Sequence, residues 1–149
     1  MQIINTNNLN QARKQIQELK KQNKKPIIVQ AQDDAFNRKI LENKDIDILL
    51  APESHNRKDY MKQRDSGLNE VLCKLATKNN ITIAIDLNNL KKQEKKQKAI
   101  ILARIKQNIQ LCKRTKTKII LLPNPSKQEA ISFMQTLGSS TNQAKQAIE

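Results

Sequence analysis

The sequence of 149 residues is poor in the side chains that most enzymes place in their active sites. Its only histidine is His55, so a hydrolytic metal centre built from clustered imidazoles and carboxylates is not indicated, and we interpret His55 as a surface imidazole. The two glycines, Gly67 and Gly138, lie too far apart for a P-loop or a dinucleotide-binding fingerprint. Ser66 has no histidine nearby in the sequence and is not part of a nucleophile elbow. We therefore predict no catalytic residue.

Cysteine and long apolar runs are equally scarce. Cys73 and Cys112 form no CxxC pair, which argues against structural zinc and favours buried free thiols in a reducing compartment. No apolar run approaches the roughly 20 residues of a membrane span. The first ten residues, MQIINTNNLN, lack the charged and apolar regions of a signal peptide. These absences predict a cytoplasmic protein that is not bound to a membrane.

Acidic residues are too few to balance the basic ones. Fourteen Asp and Glu residues stand against 28 Lys and Arg residues, which gives a formal net charge of +14. Such an excess attracts polyanions and favours nucleic acid as the partner, although an AT-rich coding sequence that enriches lysine is an alternative. Because only three residues are aromatic, base stacking has little support. We expect salt-sensitive binding that is dominated by phosphate contacts.

Apolar runs alternate with amphipathic segments along the whole chain. We predict strands at 2–5, 25–31, 45–52, 81–87 and 118–123, and helices at 7–22, 36–43, 66–79, 89–115, 126–137 and 140–149. This alternation indicates a single α/β domain, residues 1–149, with a parallel sheet of about five strands. The apolar character of the strands indicates that both faces of the sheet are covered. A doubly wound sheet and a partial βα barrel both fit the pattern.

The positive charge is concentrated in the second half of the chain. Between Leu90 and Ile119 there are eleven basic residues and one acidic residue, a net charge of +10. In the long helix predicted there, an apolar stripe faces the sheet, and Arg104, Lys106 and Lys113 are expected on its flanks. A second basic group lies in the loop that precedes the next helix, and a third ends the first helix. The members of these two groups are Arg57, Lys58, Lys62 and Arg64, and Lys20, Lys21, Lys24 and Lys25.

Three carboxylates follow or end predicted strands. Asp33 and Asp34 come after the second strand, and Asp86 lies in the fourth. In a parallel sheet these residues would approach one edge, where they could hold Mg²⁺ weakly. Helix capping and loop solvation explain the same residues equally well, so we assign no metal ligand.

The segment RDSGLNEVLCKLATKNNITIAIDL predicts a well-formed helix and strand. Asp65 or Ser66 is expected to cap the helix, and Asn79 or Asn80 to supply a left-handed turn at its end. The predicted buried stripe consists of Leu68, Val71, Leu72, Leu75 and Ala76.

This segment also carries a family signature. PESHNRKDYMKQRDSGLNEVLCKLATKNNITIAIDL resembles the archaeal and eukaryotic ribonuclease P protein component 3 family, in which a proline-terminated strand and a basic loop precede an R-(K/N)-D-S-G motif. The resemblance continues in RIKQNIQLCKRTKTKIILLP and in LGSSTNQAKQAI, and it covers residues 2–148. The chain is short for this family and lacks, by this comparison, the first strands of the family barrel.

The resemblance implies a truncated TIM-like barrel related to the PHP phosphoesterases, with Asp65, Ser66 and Gly67 as a structural motif. It implies an RNA-binding, non-catalytic subunit that supports removal of the 5′ leader from precursor tRNA by the ribonuclease P RNA. Component 2 and other ribonuclease P proteins would be partners, and Mg²⁺ would be bound by the RNA and not by this chain. The expected RNA contacts are Arg57, Lys58, Lys62, Arg64, Arg104, Lys106, Lys113 and Arg114.

Two alternatives have different functions. One is a general RNA-binding or ribosome-associated protein on the same fold. The other is a metal-dependent phosphoesterase of PHP type, which the missing histidines disfavour. An exposed sheet edge, expected for a truncated barrel in every case, would need a partner or a covering segment.

Overall fold

The computed structural model describes residues 2–55 and 65–148, which form a single sheet with helices between its strands. The strands are β1 Ile3–Ile4, β2 Ile28–Gln30, β3 Ile48–Leu50, β4 Thr82–Asp86 and β5 Ile119–Leu122. The helices are α1 Leu9–Lys21, α2 Asp34–Leu41, α3 Glu70–Lys78, α4 Leu87–Lys92, α5 Lys95–Thr115, α6 Lys127–Thr136 and α7 Thr141–Gln146. All five predicted strands are confirmed, each shorter than its apolar run.

The order of the strands decides between the two predicted architectures. Each strand lies beside its predecessor, β1-β2-β3-β4-β5, and all four pairings are parallel. A doubly wound sheet reverses this order at a switch point, whereas a βα barrel adds each new strand on the same side. Right-handed crossovers that advance in one direction also place the helices on one face. The predicted α/β fold, a partial TIM-like barrel with five parallel strands, is confirmed.

Alternate residues along the strands belong to two separate cores. Val29, Leu49 and Ile83 belong to the larger core, which also contains the buried faces of the helices. The residues that alternate with them form a second cluster without any helical residue: Ile28, Ile48, Leu50, Ala51, Ala84, Ile120 and Leu122. Every member of this second cluster is buried, as expected on the concave side of a curved sheet whose inward side chains fill its interior.

Two helices differ from the predictions. The predicted helix 89–115 is two helices, because Asp86 caps α4, and Gln93 and the N-cap Glu94 are extended before α5 begins at Lys95. The helix predicted at 66–79 begins at Glu70, and its cap is Asn69, whose side-chain oxygen accepts from the Leu72 N–H at 2.9 Å. The predicted caps Asp65 and Ser66 lie upstream of this helix.

The predicted apolar stripe of α3 is correct except at Val71. Leu68, Leu72 and Ala76 are buried and Leu75 is partly buried, but Val71 is 60% exposed. The left-handed turn after α3 is formed by Asn80, at φ 56°. The predicted buried free thiols are also confirmed, since Cys73 and Cys112 are both buried and unbridged.

The outer edge of β5 is partly covered. The Leu121 N–H donates to the Ala147 carbonyl at 2.9 Å. A bond of the same kind joins β4 and β5. There the Ile83 N–H donates to the carbonyl of Lys118, which precedes Ile119, the residue paired with Ile83. The segment after α7 thus adds a hydrogen bond to the outer edge of β5. Among the described residues, no helix has both the length and the apolar character that crossing a membrane requires.

Candidate nucleic-acid interface

The solvent-facing side of α5 carries an aligned row of lysines. Lys95, Lys106 and Lys113 are exposed. At 3.6 residues per turn their spacings of 11 and 7 residues return them to nearly the same face, spread over about 27 Å of helix axis. Arg114 is exposed beside the end of this row. The row presents cations over a length on which several phosphate groups of one nucleic-acid strand can bind.

Ten of the eleven basic residues between Leu90 and Ile119 reach the solvent. None of them has a carboxylate within ion-pair distance among residues 2–55 and 65–148. The pKa of Glu70 is lowered chiefly by its hydrogen bond with Lys74, and Arg114 adds a smaller effect from outside ion-pair distance. We call these ten basic residues the α4–α5 basic surface: Lys91, Lys92, Lys95, Lys96, Lys98, Lys106, Lys113, Arg114, Lys116 and Lys118.

The beginning of α5 is electrostatically unfavourable for the protein alone. Lys95, Lys96 and Lys98 follow the N-cap, no acidic residue lies in the first turn, and Glu94 makes no capping hydrogen bond through its side chain. Cations at this end oppose the helix dipole, at a cost of several tenths of a kcal/mol each. An external anion would relieve this repulsion, which makes the beginning of α5 suited to a polyanion.

The predicted exposure of Arg104 is wrong. The residue is 4% exposed, and its Nη1 donates to the carbonyl oxygens of Glu53 at 3.2 Å and His55 at 3.0 Å. It faces inward because α5 is buried over a wide arc, by the sheet on one side and by the segments around residues 53–55 and 65–68 on the other. Its guanidinium is used inside the protein, whereas Lys106, Lys113 and Arg114 lie on the surface as predicted.

The Asp65–Ser66–Gly67 motif packs against the same helix. Asn108, one turn after Arg104, donates from Nδ2 to the Ser66 carbonyl at 3.0 Å. The Asp65 side chain accepts from the Gly67 N–H at 3.1 Å, and Ser66 is 1% exposed. Asp65, Ser66 and Gly67 therefore form a turn that is held from α5, rather than a cap for α3.

The remaining predicted contacts, Arg57, Lys58, Lys62 and Arg64, lie outside the described residues. The residues that flank segment 56–64 are described, and they are tied together: His55 Nε2 donates to the Asp65 carbonyl at 2.7 Å. The prediction of a surface imidazole is wrong, since the His55 side chain is 9% exposed. His55 and Ser66, on either side of segment 56–64, therefore contact the Arg104 side of α5, opposite Lys106 and Lys113.

The side chain of Glu53 is a buried carboxyl that lies close to Arg104. Glu53 is 1% exposed, and its Oε1 accepts from the Asp86 N–H at 3.2 Å. Burial raises the pKa of Glu53 to about 7, and repulsion from Asp86 adds to this effect, while hydrogen bonds from N–H groups and the charge of Arg104 act in the opposite direction. The pKa of Glu53 thus depends in part on Arg104, whose guanidinium also donates to the His55 carbonyl.

Two of the three carboxylates considered as metal ligands act as helix caps. Asp33 accepts from the Phe36 N–H at 2.8 Å, and Asp86 accepts from the Asn89 N–H at 3.0 Å. Asp33 follows β2 and Asp86 ends β4, so both lie at the carboxyl ends of the parallel strands, as the sequence predicts. Within the described part of the chain, three or more metal-binding side chains do not come together.

The sequence did not reveal the buried polar residues through which α5 contacts the residues that flank segment 56–64. Arg104 and Asn108 are four residues apart and lie beside Ile101, Ile105 and Ile109, inside the arc that the apolar stripe defines. This i, i+4 spacing on the buried side was the available signal. No comparable pattern in the sequence indicates that Glu53 or His55 is buried.

Three curated proteins with similar sequences are all named ribonuclease P protein component 3. The chain is 31% identical over 119 residues to ribonuclease P protein component 3 of Methanococcus maripaludis, an alignment of 79% of this chain and 47% of that protein. The same protein of Methanococcus vannielii is 32% identical over 95 residues, or 64% and 38% of the two chains. That of Methanosarcina acetivorans is 29% identical over 129 residues, or 82% and 51%. The chain thus spans about half or less of the length of these relatives.

A solved structure has the same fold. A chain in a cryo-EM structure of archaeal ribonuclease P with mature tRNA superimposes with a TM-score of 0.78, over 97% of this chain and 62% of that chain, at 22% sequence identity. No protein-family model matches. The resemblance that the RDSGLN segment indicates is nevertheless confirmed by the sequence relatives: the chain is a relative of ribonuclease P protein component 3 and corresponds to about half of that protein.

Proposed function

We propose that this chain is a non-catalytic, RNA-binding subunit of ribonuclease P that supports removal of the 5′ leader from precursor tRNA by the RNA of the enzyme. The observation that carries the proposal is the α4–α5 basic surface, which has no internal counter-charge among the described residues, on a relative of ribonuclease P protein component 3. Such a surface binds phosphates and releases counterions, so it stabilises folded RNA without reading its sequence.

The proposed partners follow from the same surface. Its lysines contact the ribonuclease P RNA, and the predicted contacts Arg57, Lys58, Lys62 and Arg64, which lie outside the described residues, add further cations. Precursor tRNA is then engaged through the RNA. Component 2 is the proposed protein partner, and catalytic Mg²⁺ is held by the RNA. The chain contributes electrostatic stabilisation and no reacting group.

Reconstitution tests the subunit proposal directly. We expect that leaving this chain out of an assembly of ribonuclease P RNA and the other protein subunits reduces 5′ cleavage of precursor tRNA at low Mg²⁺. We also expect raised Mg²⁺ to restore part of the activity, because the added cations replace the missing lysines. Unchanged cleavage at low Mg²⁺ together with retained RNA binding would instead support the general RNA-binding alternative.

Neutralising the lysine row tests the interface. We expect the triple variant Lys95→Gln, Lys106→Gln, Lys113→Gln to bind the ribonuclease P RNA at least about tenfold more weakly at low salt, with the slope of log K against log salt reduced by about two to three. A filter-binding titration over several salt concentrations measures both quantities.

The control variant changes three exposed lysines on other elements: Lys14→Gln, Lys78→Gln and Lys145→Gln. It loses the same total charge, so it reports the effect of net charge alone, and we expect a smaller change in the salt slope. Equal slopes for the two triple variants would show that the lysine row does not form the interface.

A further inference from the structure

An apolar cavity opens inside the α4–α5 basic surface. It has a volume of about 430 Å³ and lies between α4, α5, α6 and the end of β5. Leu90, Leu102 and Leu121 line it together with Phe133. Its volume lies within the usual range for small-molecule sites, roughly 300–1,000 Å³. The cavity can therefore accept a flat apolar group such as a nucleobase.

Phe133 gives the cavity an accessible aromatic ring. Phe36 is 5% exposed and belongs to the core, and Tyr60 lies outside the described residues. Phe133 is half-buried and lines the cavity. Among the residues that the structure describes, it is thus the aromatic side chain on which an unstacked base can pack.

The rim of the cavity has the charge that a nucleotide requires. Lys91 and Lys98 line it, and both belong to the α4–α5 basic surface. The acidic residue in the lining, Glu129, is engaged in the capping box of α6, where its Oε2 accepts from the Ser126 N–H at 3.2 Å. An apolar interior beneath two cations complements a base inside and phosphates outside.

We propose that this cavity binds one unstacked base of a single-stranded RNA segment, packed against Phe133, with the adjacent phosphates on Lys91 and Lys98. The proposal rests on the proposed function, because it names a contact within the same RNA interface. Since most of the lining is carbon, the cavity holds a base by stacking and burial, and it discriminates weakly between bases.

The test compares two RNAs, a ten-residue oligouridine and a ten-base-pair RNA duplex. We expect Phe133→Leu to weaken binding of the oligouridine by about five- to thirtyfold without changing the salt slope, and to leave duplex binding unchanged. Lys91→Gln with Lys98→Gln should instead lower the salt slope for the oligouridine by about one. Photo-crosslinking of oligouridine that contains 5-iodouridine is expected to label Phe133.

Ile131→Val is the matched control, because Ile131 is also half-buried on α6 and does not line the cavity. Thermal melting of each variant identifies any loss of affinity that comes from unfolding. If Phe133→Leu binds both RNAs like the wild type and crosslinks map elsewhere, the base site is overturned while the lysine interface stands. If that variant instead loses only its assembly with other ribonuclease P proteins, the cavity binds an apolar protein segment, which also overturns the proposal. If wild-type protein binds neither RNA, the proposed function fails with it.

Discussion

Replacing Gly67 by alanine is expected to destabilise the fold by at least about 3 kcal/mol. Gly67 has φ +85°, a conformation that costs a residue with a Cβ about 1 kcal/mol or more. An added Cβ would also lie 1.9 Å from the carbonyl oxygen of Pro52. The first effect is a backbone conformation and the second is a clash with a backbone atom. The backbone itself would therefore have to shift to accommodate alanine. Urea unfolding monitored by circular dichroism measures the loss.

Gly138→Ala provides the comparison. Gly138 also has positive φ, +91°, but an added Cβ would meet the side-chain Nε2 of Gln110 at 2.8 Å. That side chain can move, although it would give up its hydrogen bond to the Gly138 carbonyl. We expect a loss of about 1–2 kcal/mol for this variant. If Gly67→Ala costs no more than Gly138→Ala, the close approach of Pro52 does not constrain the turn.

The strands follow from local chemistry, whereas their order in the sheet became clear only from the structure. Runs such as residues 81–85 are mostly apolar and rich in β-branched side chains, and their alternation with helical segments is enough to predict a parallel sheet. Asn80 shows that even the left-handed turn after α3 has a local signal, because asparagine tolerates positive φ. These features are predictable since each depends on neighbours within a few residues.

The predictions of burial and exposure that were wrong concern residues whose surroundings are set by segments far away in the sequence. Val71 fits the apolar period of α3, but it lies on a face of the helix that no element of residues 2–55 and 65–148 covers, so it stays exposed. Arg104 and His55 are charged or titratable, and both were expected at the surface. They turn inward because carbonyl oxygens far away in the sequence accept their hydrogen bonds. Residues of these types are usually exposed. Their burial here depends on hydrogen-bond partners that only the assembled fold supplies.

These inward contacts connect the fold to the candidate interface. Arg104 and Asn108 extend from one side of α5 to both ends of segment 56–64, while Lys106 and Lys113 extend from the other side toward solvent. One side of α5 is thus held inside the protein, and the opposite side presents the lysine row to solvent. A helix held in this way keeps its lysines at set positions, which lowers the entropy lost on binding RNA.

The pH dependence of stability should reveal the buried carboxyl of Glu53. Its pKa is raised from 4.5 to about 7 in the folded protein. Between these values the folded state holds a proton that the unfolded state has released, so the free energy of unfolding falls as pH rises. A shift of this size corresponds to a loss of about 3 kcal/mol, complete above about pH 7.

We expect Glu53→Gln to remove this loss. Glutamine cannot ionise, and its side-chain oxygen can still accept from the Asp86 N–H. Chemical unfolding of both proteins from pH 4 to 8.5 should give a stability difference that moves by about 3 kcal/mol in favour of the variant across that range. The difference at pH 4, where the wild-type carboxyl is protonated, measures packing alone and serves as the internal reference. A difference that stays constant with pH would mean that Glu53 is hydrated when it ionises. The interior around Glu53 and Arg104 would then open to water when the carboxyl ionises.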